Sequence, residues 1–178
     1  MPTVLLAGLL YPCPFGQAPD PASEPLAHRL CDRDRAVHYL DAPLSSRPAP
    51  PVASDLARLK VWAHHWLFEA NPETHDSRKW DPSYRTWDPQ TQTLAVSPVE
   101  KDRALEAFWR MEEHHRPPAG RAARRAAVEA LVNTLLAHPV TQLWTVHWDN
   151  QDDTAFDGLI ALDLPSGRVR VLMTHDFA

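Results

Sequence analysis

The chain has 178 residues, of which 44% are hydrophobic and 23% are charged, and its formal net charge is −5. This length suits one hydrophobic core, and the hydrophobic content excludes a chain that is disordered throughout, so we predict a single domain over residues 1–178. The negative charge excludes a general attraction to nucleic acid or anionic membranes, although a local basic patch could still bind phosphate.

The first third of the chain predicts two short strands separated by loops. Val4–Leu10 is a continuous apolar run and Ala36–Leu40 is a shorter one, and both indicate buried strands. The stretches 12–25 and 42–53 are rich in Pro, which fixes φ and removes a backbone donor, so we predict irregular loops there.

A first helix is predicted over Ser54–Ala70, because its first residue is a favourable N-cap and Asn71-Pro72 ends it. Val61 and Phe68 lie away from the main apolar stripe, so we expect neighbours to cover this helix on two faces. The main stripe consists of Leu56, Leu59, Trp62, Ala63, Trp66 and Leu67.

A tandem repeat of seven residues follows, Trp80–Thr86 and then Trp87–Thr93, and each copy begins Trp-Asp-Pro. Each Asp-Pro pair is suited to open a type I turn, with the Asp side chain bonding the backbone ahead. We predict a loop or hairpin over residues 80–97, in which Tyr84–Trp87 pairs with Thr93–Ser97.

Trp80, Tyr84 and Trp87 form the densest aromatic cluster outside the predicted helices and strands. Trp and Tyr are common anchors of binding surfaces, because they bury a large area at a low cost in side-chain entropy. A long loop can also use such residues to cover the edge of the core. We treat the three as candidate binding residues and leave the covering role as the alternative.

Two further helices are predicted next. Ser97-Pro98-Val99-Glu100 has the pattern of a capping box with Pro at the first helical position, and the second helix extends from it to His115. A third helix is predicted over Arg121–His138. The connection between them is short, so the two helices should form an antiparallel pair.

The last third of the chain shows period-two alternation of apolar residues in three segments, 144–148, 160–164 and 169–173. Gly167 suits the left-handed position of a hairpin turn between the last two segments. We therefore predict an α+β fold in which an antiparallel sheet, with a C-terminal three-stranded meander, packs against about three helices.

The third predicted helix begins with a basic cluster, Arg121, Arg124 and Arg125, that continues its apolar stripe. Three cations at a helix N-terminus oppose the helix dipole, so an anion is expected nearby. Glu112 and Glu113 of the second helix could supply it. The alternative is a phosphate-binding or nucleic-acid-binding site.

Histidine and carboxylate side chains give two weaker hypotheses. His65, Glu69 and His115 could hold zinc or another divalent cation in a metal-dependent hydrolase, although no His-Glu-x-x-His motif is present. On the polar face of the predicted meander, a cluster could support acid-base chemistry or simply form charge pairs. That cluster consists of His147, Asp163, Arg168 and Arg170.

The sequence lacks the glycine-containing motifs of several classes of nucleotide-binding proteins and hydrolases. The five glycines form no Gly-x-Gly, whereas dinucleotide fingerprints, phosphate loops and Gly-x-Ser-x-Gly elbows need glycines where backbone approaches a ligand or turns sharply. We therefore favour a non-enzymatic binding or regulatory protein that needs no cofactor and that binds a protein partner or a second copy of itself.

Localisation is predicted from the same composition. No basic residue precedes Val4–Leu10, which is too short to span a bilayer, and Cys13 and Cys31 have no paired spacing. Only three of the eighteen basic residues are Lys, a bias typical of GC-rich bacterial genomes. We expect a bacterial, cytoplasmic protein that does not bind membranes.

Overall fold

The computed structural model describes residues 35–44, 55–71, 81–114, 121–151 and 154–177. The strands in these ranges are β1 (Arg35–Pro43), β2 (Thr93–Pro98), β3 (Gln142–Asp149), β4 (Thr154–Asp163) and β5 (Arg168–Phe177). The α-helices are α1 (Leu56–Ala70), α2 (Ala104–His114) and α3 (Arg121–Leu136). The predicted α+β fold class is therefore confirmed. The strand predicted at Val4–Leu10 and the Pro-rich stretch 12–25 lie outside the described residues.

The five strands form one antiparallel sheet in the order β1-β5-β4-β3-β2. The predicted C-terminal meander is the β3-β4-β5 part of it. Gly167 adopts a φ of 62°, and its N–H donates to the Leu164 carbonyl at 3.1 Å, so it occupies the left-handed turn position as predicted. The second predicted strand extends beyond its expected end, since β1 continues to Pro43 into the stretch predicted as loop.

Helices cover both faces of the sheet. α1 packs against one face, where alternate residues of β2 to β5 join its apolar side in one core. α2 and α3 pack against the opposite face and form a second core with residues of β1, β3, β4 and β5. β4 lies at the centre of the sheet, and from Phe156 to Asp163 every residue is buried, because both of its faces are covered.

Two of the three helix starts that the sequence predicts are shifted in the structure, whereas α3 begins at Arg121 as predicted. The N-cap of α1 is Asp55, whose side chain accepts from the Arg58 N–H at 3.1 Å, whereas Ser54 lies outside the described residues. The predicted capping box is wrong, since Ser97 belongs to β2 and α2 begins at Ala104 after a 3-10 turn. Sheet pairing with β3 outcompetes the local helix signal.

The predicted hairpin between Tyr84–Trp87 and Thr93–Ser97 is also not formed. Residues Pro82–Arg85 form a 3-10 turn, and β2 pairs with β3 instead. A two-stranded hairpin has little stability alone, whereas β2 in the larger sheet buries Leu94 and Val96 in the core beside α1.

Gly158 allows α1 to lie close to the sheet. A Cβ atom at this position of β4 would stand 2.9 Å from Cδ2 of Leu67 and 3.2 Å from the Leu172 carbonyl oxygen. Gly158→Ala is therefore expected to lower the free energy of unfolding by about 1 to 2 kcal/mol, measured by urea denaturation. Leu67→Val removes the nearest atom and should reduce this cost; an equal cost in both backgrounds would contradict the steric explanation.

Within the described ranges, no helix combines the length and the apolar composition that crossing a bilayer requires.

Candidate functional site

The two Asp-Pro turns of the repeat are stabilised by their own carboxylates. The Ser83 N–H donates to Asp81 Oδ1 at 2.9 Å, and the Gln90 N–H donates to Asp88 Oδ1 at 2.9 Å. In each turn the N–H of the fourth residue also donates to the Asp carbonyl, at 3.0 and 3.3 Å. The backbone hydrogen bond from Ser83 lowers the pKa of Asp81. Each Asp-Pro pair therefore opens a turn, as the sequence predicts.

Tyr84 and Trp87 lie on the core that α1 shares with the sheet, and both are half-buried. The Tyr84 ring lies 6.0 Å from the ring of Trp148, and the Trp87 ring lies 6.2 Å from the ring of His64. Lys60 places its ammonium 5.7 Å from the centre of the Trp87 ring, a cation-π geometry. The two aromatic side chains thus cover the core and still expose part of their surface. Trp80 lies outside the described residues.

Gln92 connects this loop to the sheet. Its side chain is buried, its Oε1 accepts from the Trp148 indole N–H at 2.8 Å, and its Nε2 donates to the Thr86 carbonyl at 3.2 Å. One amide therefore bonds both the buried strand β3 and the backbone between the two turns. The loop is held in one conformation by its turns, its aromatic contacts and this bridge.

His64 lies beneath the loop, with only 2% of its surface exposed. Its ring stacks on Phe68 at 4.4 Å and contacts the edge of Trp148 at 6.1 Å. Burial lowers the pKa of His64 from 6.5 to about 4, against the opposing influence of the Gln92 side chain and the Tyr84 backbone. The imidazole is therefore neutral at neutral pH.

The predicted metal ligands are only partly described. His65 is half-buried beside the Trp66 ring, Glu69 is exposed, and His115 lies outside the described residues. Within the part of the chain that the structure describes, no three His, Cys, Asp or Glu side chains are grouped so that they could hold a metal ion.

The arginine cluster forms ion pairs within the α2-α3 pair. Arg121 pairs with Glu113, and Arg125 pairs with Glu106 and stacks 5.5 Å from the centre of the Trp109 ring. These pairs join the start of α3 to α2 and confirm that the two helices are antiparallel. The sequence identified Glu113 as a partner of the cluster but not Glu106. Arg124 is half-buried in the same turn.

The polar residues predicted to meet on the meander occupy two separate sites. At one end of β5, Asp41 bonds Arg168 at 2.6 Å and Arg170 at 3.2 Å, and Arg170 lies 3.5 Å from Asp163. The pKa of Asp163 is lowered by its hydrogen bond from Ser166 and by the charge of Arg170.

His147 does not join that group. Its Nδ1 lies 2.8 Å from the carboxylate of Asp157, the residue directly opposite it on β4. Asp163 is six residues further along β4, which is about 20 Å along an extended strand. Strand register therefore separates His147 from the arginines, and a single cluster of the four is ruled out.

The best-ordered candidate site is thus the surface that the Asp-Pro loop builds on α1. The sequence identified its aromatic residues but not Gln92 and His64, which become neighbours only when α1, β2 and β3 assemble. Comparison of the chain with protein-family models, with curated proteins and with solved structures finds no match.

Proposed function

We propose that this chain is a non-enzymatic binding protein that contacts a protein partner through the surface formed by its Asp-Pro loop and the exposed side of α1. We call this the loop-helix surface and define it by Leu56, Lys60, Val61, Tyr84 and Trp87. The observation that carries the proposal is the rigid presentation of half-buried aromatic side chains beside exposed apolar ones.

The exposed apolar residues support this location. Among the described residues, only Leu56, Val61 and Leu164 are large, apolar and exposed, and the first two belong to α1 at 56% and 53% exposure. Leu56 lies one helical turn before Lys60, whose ammonium contacts Trp87. Two exposed apolar side chains on the helix that also presents Lys60 to Trp87 suit an interaction site.

Rigidity of the loop favours binding. A surface that is already ordered loses little conformational entropy when a partner docks, so more of the contact energy is retained as affinity. The carboxylate-capped turns and the Gln92 bridge supply this order before any partner is present. In contrast, Arg121 and Arg125 already pair with internal carboxylates, which makes the start of α3 a weaker candidate for an anionic partner.

The proposal is tested first by site-specific photo-cross-linking in the source cells. A benzophenone amino acid at position 61 is expected to give a discrete adduct with a partner protein, whose mass shows whether it is a second copy of this chain. The same probe at position 164, on the turn between β4 and β5, is the control because Leu164 is 46% exposed but remote from the loop. No adduct from position 61, or the same adduct from both positions, would contradict the proposal.

Trp87→Ala is expected to weaken binding to the captured partner by at least about tenfold, because aromatic anchors contribute most of the affinity of such surfaces. Isothermal titration calorimetry measures the affinity, and circular dichroism verifies that the variant is folded at the assay temperature. Leu164→Ala is the matched control and should bind like the wild type. A folded Trp87→Ala protein with wild-type affinity would remove Trp87 from the binding surface.

A further inference from the structure

A pocket of about 340 Å³ lies at the other end of β3, between the connection that follows β2 and the connection that precedes β3. Residues 98–101 form one wall and residues 140–144 form the other. Its volume falls in the lower range of sites that bind small molecules. Gln142, at the start of β3, lines it, whereas Trp148, which anchors the Asp-Pro loop, is near the end of the same strand. The pocket is therefore separate from the loop-helix surface.

The walls of the pocket rest on both hydrophobic cores. Trp144 is buried in the core beside α1, and Leu143 is buried in the core beneath α2 and α3. Val99 and Val140 are half-buried and pack against that second core. The Val99 N–H also donates to the Leu143 carbonyl at 3.0 Å, which joins the two walls. This attachment makes the apolar part of the pocket preformed.

Gln142 contributes a polar atom to the wall of the pocket. Its Oε1 atom is buried and accepts no hydrogen bond within the described residues. A buried acceptor without a donor is unfavourable, so an N–H group from a bound molecule would be stabilised there.

Charged and hydroxyl groups surround the same pocket. Glu100 and Lys101 are adjacent and exposed, so a carboxylate and an ammonium stand at one wall. The Thr141 hydroxyl accepts from the Leu164 N–H at 3.1 Å and keeps its own proton for a further hydrogen bond. A ligand that carries both an amine and a carboxylate would match these groups better than a ligand with one charge.

We propose that this pocket binds a small zwitterion with an apolar side chain, that is, an apolar α-amino acid. Its ammonium would donate to Gln142 Oε1 and face Glu100. Its carboxylate would face Lys101 and the Thr141 hydroxyl, and its side chain would lie against the apolar walls.

Amide NMR spectra of the intact chain test this, with L-leucine as the probe. We expect saturable shifts at residues 99–101 and 140–144, with a dissociation constant in the millimolar range or tighter. Isopentylamine lacks the carboxylate and isocaproate lacks the ammonium, and each should bind at least about tenfold more weakly. Absence of saturable shifts in these segments, or equal binding of either single-charge analogue, would overturn the proposal.

Two variants link the binding to the pocket. Lys101→Met changes an exposed side chain and should keep the fold, and Gln142→Leu replaces the half-buried amide. Each is expected to weaken leucine binding by about tenfold, whereas Gln90→Leu, an exposed position in the Asp-Pro loop, should not affect it. Unchanged affinity in the folded Lys101→Met protein would overturn the assignment even if Gln142→Leu failed to fold. None of these results depends on the loop-helix surface, so the two proposals can fail independently.

Discussion

Trp148→Phe is expected to lower the free energy of unfolding by about 3 kcal/mol, the largest effect that we expect from a conservative substitution in this chain. Trp148 is fully buried, and its indole N–H donates to Gln92 Oε1 at 2.8 Å. The substitution leaves a cavity and a buried acceptor without its donor, and it disconnects the Asp-Pro loop from β3. Urea denaturation monitored by circular dichroism measures the loss.

Trp109→Phe is the matched control on the opposite face of the sheet. Trp109 is only 3% exposed, but its indole N–H has no hydrogen-bond partner among the described residues. Trp109→Phe leaves a cavity, but it also removes a buried donor that makes no bond, and this removal offsets part of the cost of the cavity. We therefore expect the free energy of unfolding to fall by about 1 kcal/mol. Equal losses in the two variants would show that the bond to Gln92 contributes nothing to stability.

The second large effect is a loss of stability in acid that originates at His64. Its pKa is 6.5 in the unfolded chain and about 4 in the folded protein, because burial disfavours the charged imidazole. Between these values the unfolded state binds more protons than the folded state, so stability falls as the pH decreases. The contribution of neutral His64 to the free energy of unfolding is fully present above about pH 6.5. About 3 kcal/mol of this free energy is lost by pH 4.

His64→Met removes the titrating group and keeps an apolar side chain beneath the loop. The difference in unfolding free energy between wild type and variant should therefore shift by about 3 kcal/mol in favour of the variant between pH 7 and pH 4. Chemical denaturation at a series of pH values measures it. His138→Gln, at an exposed position, controls for the loss of a histidine, and a pH dependence unchanged by His64→Met would refute the assignment.

Local signals in the sequence were sufficient for part of the fold. The alternation of apolar residues predicts β3, β4 and β5 because side chains of a strand alternate between faces regardless of what packs on them. Gly167 was predictable at its turn because few other residues tolerate a positive φ, and the structure places it at 62°. The Asp-Pro turns were predictable for a similar reason, since the Asp side chain and the Pro ring act within four residues.

Local signals failed where distant residues competed with them. Ser97-Pro98-Val99-Glu100 has the pattern of a helix start, yet β2 continues through Pro98, and the Val99 N–H bonds to β3. The hairpin expected from the Trp-Asp-Pro repeat fails for the same reason, because β2 buries more apolar surface beside β3 than it could in a local pair. Pairing in a large sheet adds many contacts at once, which outweighs a single capping interaction.

The features of the fold and of the candidate site can be separated in the same way, into those set by local sequence and those set by distant contacts. The amino-acid sequence by itself determined the meander, the three helices, the turns of the loop and the aromatic residues that it presents, because each depends on near neighbours in the chain. Only the tertiary structure decided which helix covers which face, and that His64, Gln92 and Trp148 meet beneath that loop. Gln92 lies 28 positions after His64, and Trp148 lies 56 positions after Gln92. Contacts across such separations depend on strand order and helix packing, which no local pattern encodes.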